Sequence, residues 1–191
     1  MNLHIVVAGL AMAIAIPAAA QETYIFDAVH SQPMFEAPHI GFSTQRGSFA
    51  KMTGQVTLNR AAKTGTVDVT IDVASVKTID PRLDTAVKGE KFFNVEKYPT
   101  MTFKSTNVVF DGDRVVGVNG DLTMLAVTKP VSLKVENFKC GENPFNKKPM
   151  CGGEASTVIK RSEWGMTANL PLAPGDDIRI VLPIEAYRDG G

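Results

Sequence analysis

The chain has 191 residues with 20 basic and 20 acidic side chains, so its formal net charge is zero. No basic cluster stands out, and the composition therefore gives no support for a nucleic-acid partner. Beyond the N-terminal segment, no apolar stretch reaches the roughly twenty residues that a membrane-spanning helix needs. The remainder, about 170 residues, is the size of one ordinary domain.

Residues 1–20 have the pattern of a cleavable signal peptide. The apolar run at 5–16 is too short to span a bilayer, and Ala18 and Ala20 have the small-x-small spacing that signal peptidase requires. The start of the segment has no Lys or Arg, so an uncleaved anchor and a buried helix are the alternatives. We predict cleavage after Ala20, which leaves an exported single domain that begins at Gln21.

Cys140 and Cys151 are the only cysteines, and an even count in an exported chain is typical of a disulfide. The residues between them include one Gly and two Pro and read as a loop, so the bond would close the neck of a long hairpin. A metal pair and a redox pair are the alternatives. However, the spacing is not Cys-x-x-Cys and no nearby His completes a zinc site. We predict a structural disulfide that takes no part in function.

Alternation of apolar and polar residues dominates the rest of the chain and is typical of half-buried antiparallel strands. Turn signals such as Asp111-Gly112-Asp113 separate the strands at fairly even spacing. The pattern predicts eight or nine strands and hence an all-β barrel or sandwich. The predicted strands are 24–27, 32–36, 55–59, 67–73, 101–110, 114–123, 131–136, 155–160 and 177–185.

One short helix is predicted over residues 81–88. Asp80 can cap it, Pro81 suits its first position and Gly89 ends it. So short a helix must pack its apolar face on the sheet to be stable. That face consists of Leu83, Ala86 and Val87.

Two histidines, His30 and His39, are the candidates for chemistry in the mature chain. Ser31 follows His30, but adjacency in sequence does not make a nucleophile and its base. With Glu36, the two histidines could bind a metal if the loop folded back, although no spaced His pair on a helix is present. The competing interpretation is that both are polar residues that fix the N-terminal loop.

Aromatic residues are the candidates for a binding surface, because eight strands can enclose either a filled core or a cavity for one ligand. The sequence alone leaves both possibilities open. The aromatic candidates are Phe35, Phe42, Phe49, Phe92, Phe93, Phe103 and the single tryptophan, Trp164.

Several segments, in order along the chain, resemble the YceI family. Its opening is similar to residues 27–31 (DAVHS) and 41–44 (GFST), and its most recognisable stretch is similar to 91–99 (KFFNVEKYP). Further similar segments are 101–105 (MTFKS), 120–123 (GDLT), 127–131 (VTKPV) and 159–166 (IKRSEWGM). The family usually has His-Leu where this chain has Ala86-Val87, and Asp where it has Asn94.

The resemblance implies a lipocalin-like, extended antiparallel β-barrel of about eight strands with one short helix, located in the periplasm. It implies a long apolar tunnel that holds a polyisoprenoid, either an isoprenoid quinone or a polyprenyl lipid, without catalytic apparatus or a catalytic cofactor. Transient contact with a membrane surface and a homodimer are compatible with this interpretation. An enzyme that uses the histidines and an interaction module with a filled barrel are the alternatives.

The helix at 81–88 and the following Phe92-Phe93 are expected to line or close the tunnel. Strand alternation points these two aromatics to opposite faces, so one of them is expected to reach the interior. A neutral head group and a pyrophosphate held by Arg82, Lys88 and Lys91 both remain open. The residues predicted to line the tunnel are Phe35, Phe42, Phe49, Leu83, Val87, Phe92, Phe93, Met101, Phe103 and Trp164.

Overall fold

The computed structural model describes residues 21–190, so the predicted signal segment lies outside the described part of the chain. Within that part, eleven strands and one α-helix form, and no helix has the length and apolarity needed to cross a membrane. The helix, α1, is Pro81–Lys88. The strands are β1 Glu22–Phe26, β2 Met34–His39, β3 Ser43–Phe49, β4 Met52–Asn59, β5 Thr64–Asp72, β6 Val76–Thr78, β7 Thr100–Asp111, β8 Arg114–Met124, β9 Val127–Glu142, β10 Pro149–Lys160 and β11 Asp177–Arg188.

Eight strands close into an antiparallel barrel in the order β1-β4-β5-β7-β8-β9-β10-β11, and β11 returns to pair with β1. Closure leaves this cylinder without a free edge. The predicted all-β barrel of about eight strands is therefore confirmed. Strand β6 was missed because it has only three residues, and β3 because it is mostly polar, so neither shows the alternation of a half-buried strand.

The other three strands extend the barrel wall at one end. β11 pairs with β1 through its last residues and with β2 through Arg179–Val181, and β2, β3 and β6 continue from it in that order. Each of β1/β2, β3/β4 and β5/β6 is thus one pass of the chain with a break in it. The break in the third pass is a 3-10 turn at Val73–Ser75.

The two ends of the barrel are built differently. The end that carries α1, here called the helix end, also holds the β2–β3 turn and the long connection between β10 and β11. The opposite end, here called the disulfide end, holds the β9–β10 hairpin tip at 143–148. At the helix end β7 begins at Thr100, opposite Asp72, so no strand of this ladder stands beside β6. The α1 segment occupies that side of the wall.

Helix α1 has the predicted limits and is fixed to β6 by one carboxylate. The side chain of Asp80 accepts a hydrogen bond from the Arg82 N–H and caps the helix. The carboxylate of Asp84 accepts from the Thr78 N–H at 2.6 Å, from its hydroxyl at 2.8 Å and from Lys77 Nζ at 3.2 Å. The bonds from Thr78 hold the pKa of Asp84 below its usual value. The carboxylate therefore ties the helix to the sheet in its ionised form.

The segment after α1 corrects one prediction. Residues 89–97 form successive turns rather than a strand, and the Phe93 N–H donates to the Val87 carbonyl at 3.0 Å. Asn94 then takes a left-handed conformation with φ 44°. Strand alternation therefore does not apply to Phe92 and Phe93, and the expectation that they point to opposite faces is wrong.

The predicted disulfide is confirmed. Cys140 on β9 and Cys151 on β10 stand opposite each other in the ladder and are bonded. The bond closes the base of the 143–148 tip, as the loop composition indicates. Cys151 is buried and its side of β10 faces the barrel interior.

Candidate functional site

The barrel encloses an apolar cavity of about 470 Å³. Every barrel strand contributes to its wall, together with β2, β3, β6, α1 and the segment that follows the helix. The side chains that point into the cavity are the apolar residues of the alternating sequence pattern, for example Val67, Val69 and Ile71 on β5. The core of this protein is therefore a wall around a space rather than a filled interior.

On two other strands, too, every second residue points into the cavity. β9 contributes Val131, Leu133 and Val135, and β11 contributes alternate residues from Ile178 to Ala186. On β7 the phase shifts: Met101 and Phe103 face inward, but the next inward residue is Val108. A bulge between Ser105 and Asn107 causes the shift, since one extra residue reverses which side chains face the interior.

An aromatic cluster forms the cavity wall towards the helix end. The ring centroids of Phe35 and Phe49 are 5.9 Å apart, and Phe93 lies 6.2 Å from the first and 5.4 Å from the second in edge-on geometry. Edge-on packing at these distances stabilises an aromatic group beyond its burial. Gly47 makes this possible because a Cβ there would overlap the Phe35 ring. The cluster joins β2, β3 and the segment after α1 into one wall.

Eight of the ten residues predicted to line the tunnel do line the cavity. They are Phe35, Phe49, Leu83, Val87, Phe92, Phe93, Met101 and Phe103.

The other two predicted residues, Phe42 and Trp164, are not in the cavity wall. Phe42 is in the turn between β2 and β3 and is 91% exposed. Trp164 is 2% exposed but lies in a 3-10 turn after β10, where its indole N–H donates to the Leu122 carbonyl at 3.2 Å. The indole therefore packs in the core around the cavity. A large aromatic in a family motif is equally typical of a core residue and of a cavity residue, so the sequence did not distinguish the two.

The mouth of the cavity is at the helix end. Five lining residues are exposed, and four of them are at this end: Arg46 on β3, Leu83 and Ala86 on α1, and Asn169 in the β10–β11 connection; the fifth, Met34, begins β2. Polar lining side chains are concentrated at the same end, whereas the deeper wall is almost wholly apolar. These polar residues are His39, Gln45, Arg46, Thr78, Thr157, Arg161 and Asn169. The cavity can therefore hold a long apolar molecule with a polar group at one end.

Arg161 is a buried cation in this wall, which the sequence reasoning missed. It is 1% exposed, and its guanidinium donates to four backbone carbonyls, of Met166, Ala168, Pro174 and Gly175, at 2.6–3.0 Å. Burial lowers its pKa, while nearby Asp176 acts in the opposite direction. The side chain fixes the β10–β11 connection around the mouth. The one feature of the sequence that could have indicated this role is the position of Arg161 in the 159–166 family motif.

The three cations proposed for a pyrophosphate do not form part of the cavity wall. Arg82 is exposed and paired with Asp80 at 2.8 Å. Lys88 does not line the cavity, and Lys91 lines a separate polar hollow with Glu90 and the 165–169 loop. Within residues 21–190, none of these three cations lines the cavity mouth, although the hollow that Lys91 lines shares Asn169 with it.

The two histidines are in different places. His30 Nδ1 lies 2.7 Å from Asp27 Oδ2 and 3.9 Å from Glu185 Oε2, on the exposed side of the break between β1 and β2. The hydrogen bond with Asp27 raises the pKa of His30. His39, by contrast, is at the cavity mouth. The alternative in which His30, His39 and Glu36 share a metal does not match this arrangement, because Glu36 instead pairs with Arg46 and Arg179.

Ser31 has a structural role that explains its place beside His30. Its hydroxyl donates to the Glu185 carbonyl at 2.9 Å and accepts from the Glu185 N–H at 2.9 Å, and the residue is fully buried. It thereby replaces a strand residue in the gap between β1 and β2. This geometry leaves no proton of the hydroxyl for His30, so the pair is not a nucleophile and base.

Comparison with known proteins agrees with this geometry. The YceI-like domain model matches residues 24–186. A UPF0312 protein of Ectopseudomonas mendocina is 31% identical over 160 residues, which cover 83% of each chain. Burkholderia cenocepacia BcnA has a TM-score of 0.70 at 24% identity and covers 84% of this chain and 99% of its own.

A polyisoprenoid-binding domain from Saccharophagus degradans, implicated in plant cell wall breakdown, has the same fold. Its TM-score is 0.64 at 15% identity, covering 86% of this chain and 98% of its own. At that identity the likeness concerns the fold.

Proposed function

Because the chain belongs to the YceI-like family, we propose that it is a periplasmic lipid-binding protein. Its cavity holds a long-chain polyisoprenoid, an isoprenoid quinone or a polyprenyl lipid, for carriage or sequestration. The observation that carries the proposal is the apolar cavity of about 470 Å³ with its polar side chains gathered at one end. The fold likeness to a polyisoprenoid-binding domain supports the same ligand class.

The cavity suits a chain-like ligand because its wall offers dispersion contacts and few polar groups. Burying hydrocarbon gives about 0.8 kcal/mol per CH₂ relative to water, or roughly 4 kcal/mol per isoprene unit. A bilayer already buries the same chain, so transfer from membrane to barrel gains almost nothing from hydrophobicity. Selectivity must therefore come from the shape of the wall and from the groups at the mouth.

The mouth fits a neutral head group better than a diphosphate. His39, Gln45, Thr78 and Asn169 offer donors and acceptors without a permanent charge. Arg46 is paired with Glu36 at 2.9 Å. A quinone or phenol ring with carbonyl or hydroxyl oxygens matches this set, so we place such a ring at the mouth and the isoprenoid chain along the barrel axis.

The periplasmic location rests on two features of the chain. The Cys140–Cys151 bond belongs to an oxidising compartment. The predicted signal segment ends at Ala20, and intact mass of the exported protein tests it: a chain that starts at Gln21 is expected.

Ligand identity is tested by native mass spectrometry and solvent extraction of protein purified from its own cells. We expect one isoprenoid lipid per chain. A matched pair of variants on β10 then locates it, because Ala155 lines the cavity and Val158, three residues on, is 60% exposed. Ala155→Phe fills the space and should lose most of the lipid, whereas Val158→Phe should retain it. Equal lipid in both folded variants would place the ligand elsewhere.

A further inference from the structure

Five apolar side chains form an exposed patch around the cavity mouth, here called the apolar rim. Phe42 is 91% exposed, Ile79 86%, Leu172 66%, Ile40 47% and Leu83 41%. They come from three separate connections at the helix end: the β2–β3 turn, the β6–α1 link with α1, and the β10–β11 connection. Apolar residues exposed singly are ordinary on a protein surface, but a group that surrounds one opening marks an interaction site.

Backbone hydrogen bonds between two of these connections hold the rim in place. The Ile40 N–H donates to the Leu172 carbonyl at 3.0 Å, and the Gly175 N–H donates to the Pro38 carbonyl at 2.8 Å. These bonds join the β2–β3 turn to the β10–β11 connection. Ile40, Phe42 and Leu172 are therefore presented together, on one side of the mouth.

The rim continues directly into the cavity. Leu83 belongs to both, since it is exposed on α1 and lines the cavity wall. His39, which lines the mouth, lies next to Ile40 in the turn. An apolar molecule that leaves a hydrophobic phase in contact with the rim would thus enter the cavity without crossing water.

Opposite charges are nearly equal in number at this end, because Lys88, Lys91 and Lys97 alternate along the chain with Glu90 and Glu96, and three other cations form ion pairs. Arg46 pairs with Glu36, Lys77 with Asp84, and Arg82 with Asp80. A surface that recognises anionic lipid instead presents several unpaired cations. The rim therefore suits insertion into the interface of a bilayer by apolar contact, with little dependence on lipid charge.

We propose that the apolar rim docks the barrel, mouth first, on the surface of a phospholipid bilayer, so that lipid passes between membrane and cavity. This inference rests on the proposed function, because a lipid ligand resides in the bilayer. Phe42, an exposed aromatic at the tip of the turn, is the principal anchor, since Phe is among the side chains that enter the boundary between head groups and acyl chains. Ile40 and Leu172 enter beside it.

The disulfide end provides a matched control. Phe145 is as exposed as Phe42, at 93%, but it lies at the 143–148 hairpin tip, away from the mouth. Phe42→Ser and Phe145→Ser therefore remove the same side chain from opposite ends of the barrel. Neither residue lines the cavity.

The experiment measures flotation of the purified protein with vesicles of phosphatidylcholine, at low and high salt. The wild type should bind in both, and Phe42→Ser should weaken binding about ten-fold or more, as expected for an aromatic side chain withdrawn from an apolar phase. Phe145→Ser should bind like the wild type. Equal binding by all three proteins, or binding that high salt abolishes, overturns the proposal.

A second measurement separates this proposal from the lipid-binding function. Isoprenoid lipid is offered either in vesicles or in detergent micelles to the wild type and to the Ile40→Ser, Phe42→Ser double variant. We expect the variant to load fully from micelles but at least about ten-fold more slowly from vesicles. A wild type that loads from micelles but never contacts vesicles overturns docking alone, and assigns the rim to a protein partner or a second copy. A wild type that loads from neither source overturns the proposed function.

Discussion

Gly47 lies directly beneath the ring of Phe35, its partner across the β2–β3 ladder. A Cβ at Gly47 would overlap that ring and would also lie 2.9 Å from the Lys77 carbonyl oxygen. The absence of a side chain on β3 is therefore what allows Phe35 to reach Phe49 and Phe93. One glycine in a polar strand thus sets the shape of the cavity wall near its mouth.

Gly47→Ala is expected to lower the free energy of unfolding by about 1–3 kcal/mol, the usual cost of overpacking. Gly141→Ala is the control, since a Cβ there meets nothing within 4 Å, and it should change stability by less than about 0.5 kcal/mol. Urea denaturation of both variants checks this. Similar stability of the two would show that the Phe35 ring can move aside freely.

Phe92 and Phe93 both line the cavity, so a charge at either should expel the ligand. We expect Phe92→Asp and Phe93→Asp each to lose most of the bound lipid, because an unpaired carboxylate in an apolar space costs several kcal/mol. Thr70→Asp, on a strand face that does not line the cavity, should keep its lipid. Lipid per mole of folded protein is the measurement. Full lipid in either folded Phe variant contradicts the assignment of that residue.

The guanidinium of Arg161 donates hydrogen bonds to four backbone carbonyls at the cavity mouth. Arg161→Lys should lower the free energy of unfolding by about 3 kcal/mol, because an ammonium has three donors and lacks the planar fork of a guanidinium. Lys160→Gln, at the exposed neighbouring position, should have a small effect. Thermal unfolding distinguishes the two, and a tolerated Arg161→Lys would mean that the connection does not depend on the fork.

The disulfide is expected to contribute about 3 kcal/mol of stability in the chain-entropy model, given the 11-residue separation of its cysteines. The Cys140→Ala, Cys151→Ala variant should lose this amount yet still carry lipid, since alanine keeps that part of the wall apolar. Reductant should destabilise the wild type and leave the variant unchanged. A folded variant without lipid would show that the bond shapes the site.

The hydrogen bond between His30 and Asp27 predicts a pH dependence of stability. It raises the pKa of His30 above its usual 6.5 and lowers the pKa of Asp27 below its usual 3.8. Its contribution is thus complete below about pH 6.5 and disappears as pH rises through the raised pKa of His30. At the acid end it disappears as pH falls through the lowered pKa of Asp27.

The measurement is the difference in melting temperature between the wild type and His30→Gln. It should be largest near pH 5 and should shrink as pH rises to about 9. Asp27→Asn removes the same bond from the other side and should give the same trend. Parallel profiles for the wild type and His30→Gln would refute the coupling.

Strand alternation predicted more of the cavity than the aromatic residues chosen for it. Val69, Leu133 and Ile180 lie in the alternating strands predicted at 67–73, 131–136 and 177–185, and all three line the cavity. The wall is mostly aliphatic, so selecting aromatics missed it. Alternation alone would still assign the wrong inward residues on the second half of β7, because the bulge after Ser105 reverses the inward face. A bulge depends on pairing with a second strand, so it cannot be read from the pattern of one strand.

Two features at the helix end could not be derived from local pattern. Phe42 and Phe49 are the same residue type seven positions apart, yet one is at the tip of a turn and the other is buried. Burial there depends on β2, β6 and the α1 segment arriving from distant parts of the sequence. Arg161 reads locally as a surface cation, and only the closure of the 166–175 backbone around it provides its acceptors.

Beside β6, the part of the chain that closes the barrel is distinct from a part that lines its cavity. The ladder of hydrogen bonds that closes the cylinder does not include the stretch from Ile79 to Pro99. That stretch nevertheless supplies Leu83, Val87, Phe92 and Phe93 to the space inside. Substitutions there can change which ligand the barrel accommodates while the strand register stays as it is. The same barrel can therefore be adapted to ligands of different length or bulk through changes in this one segment.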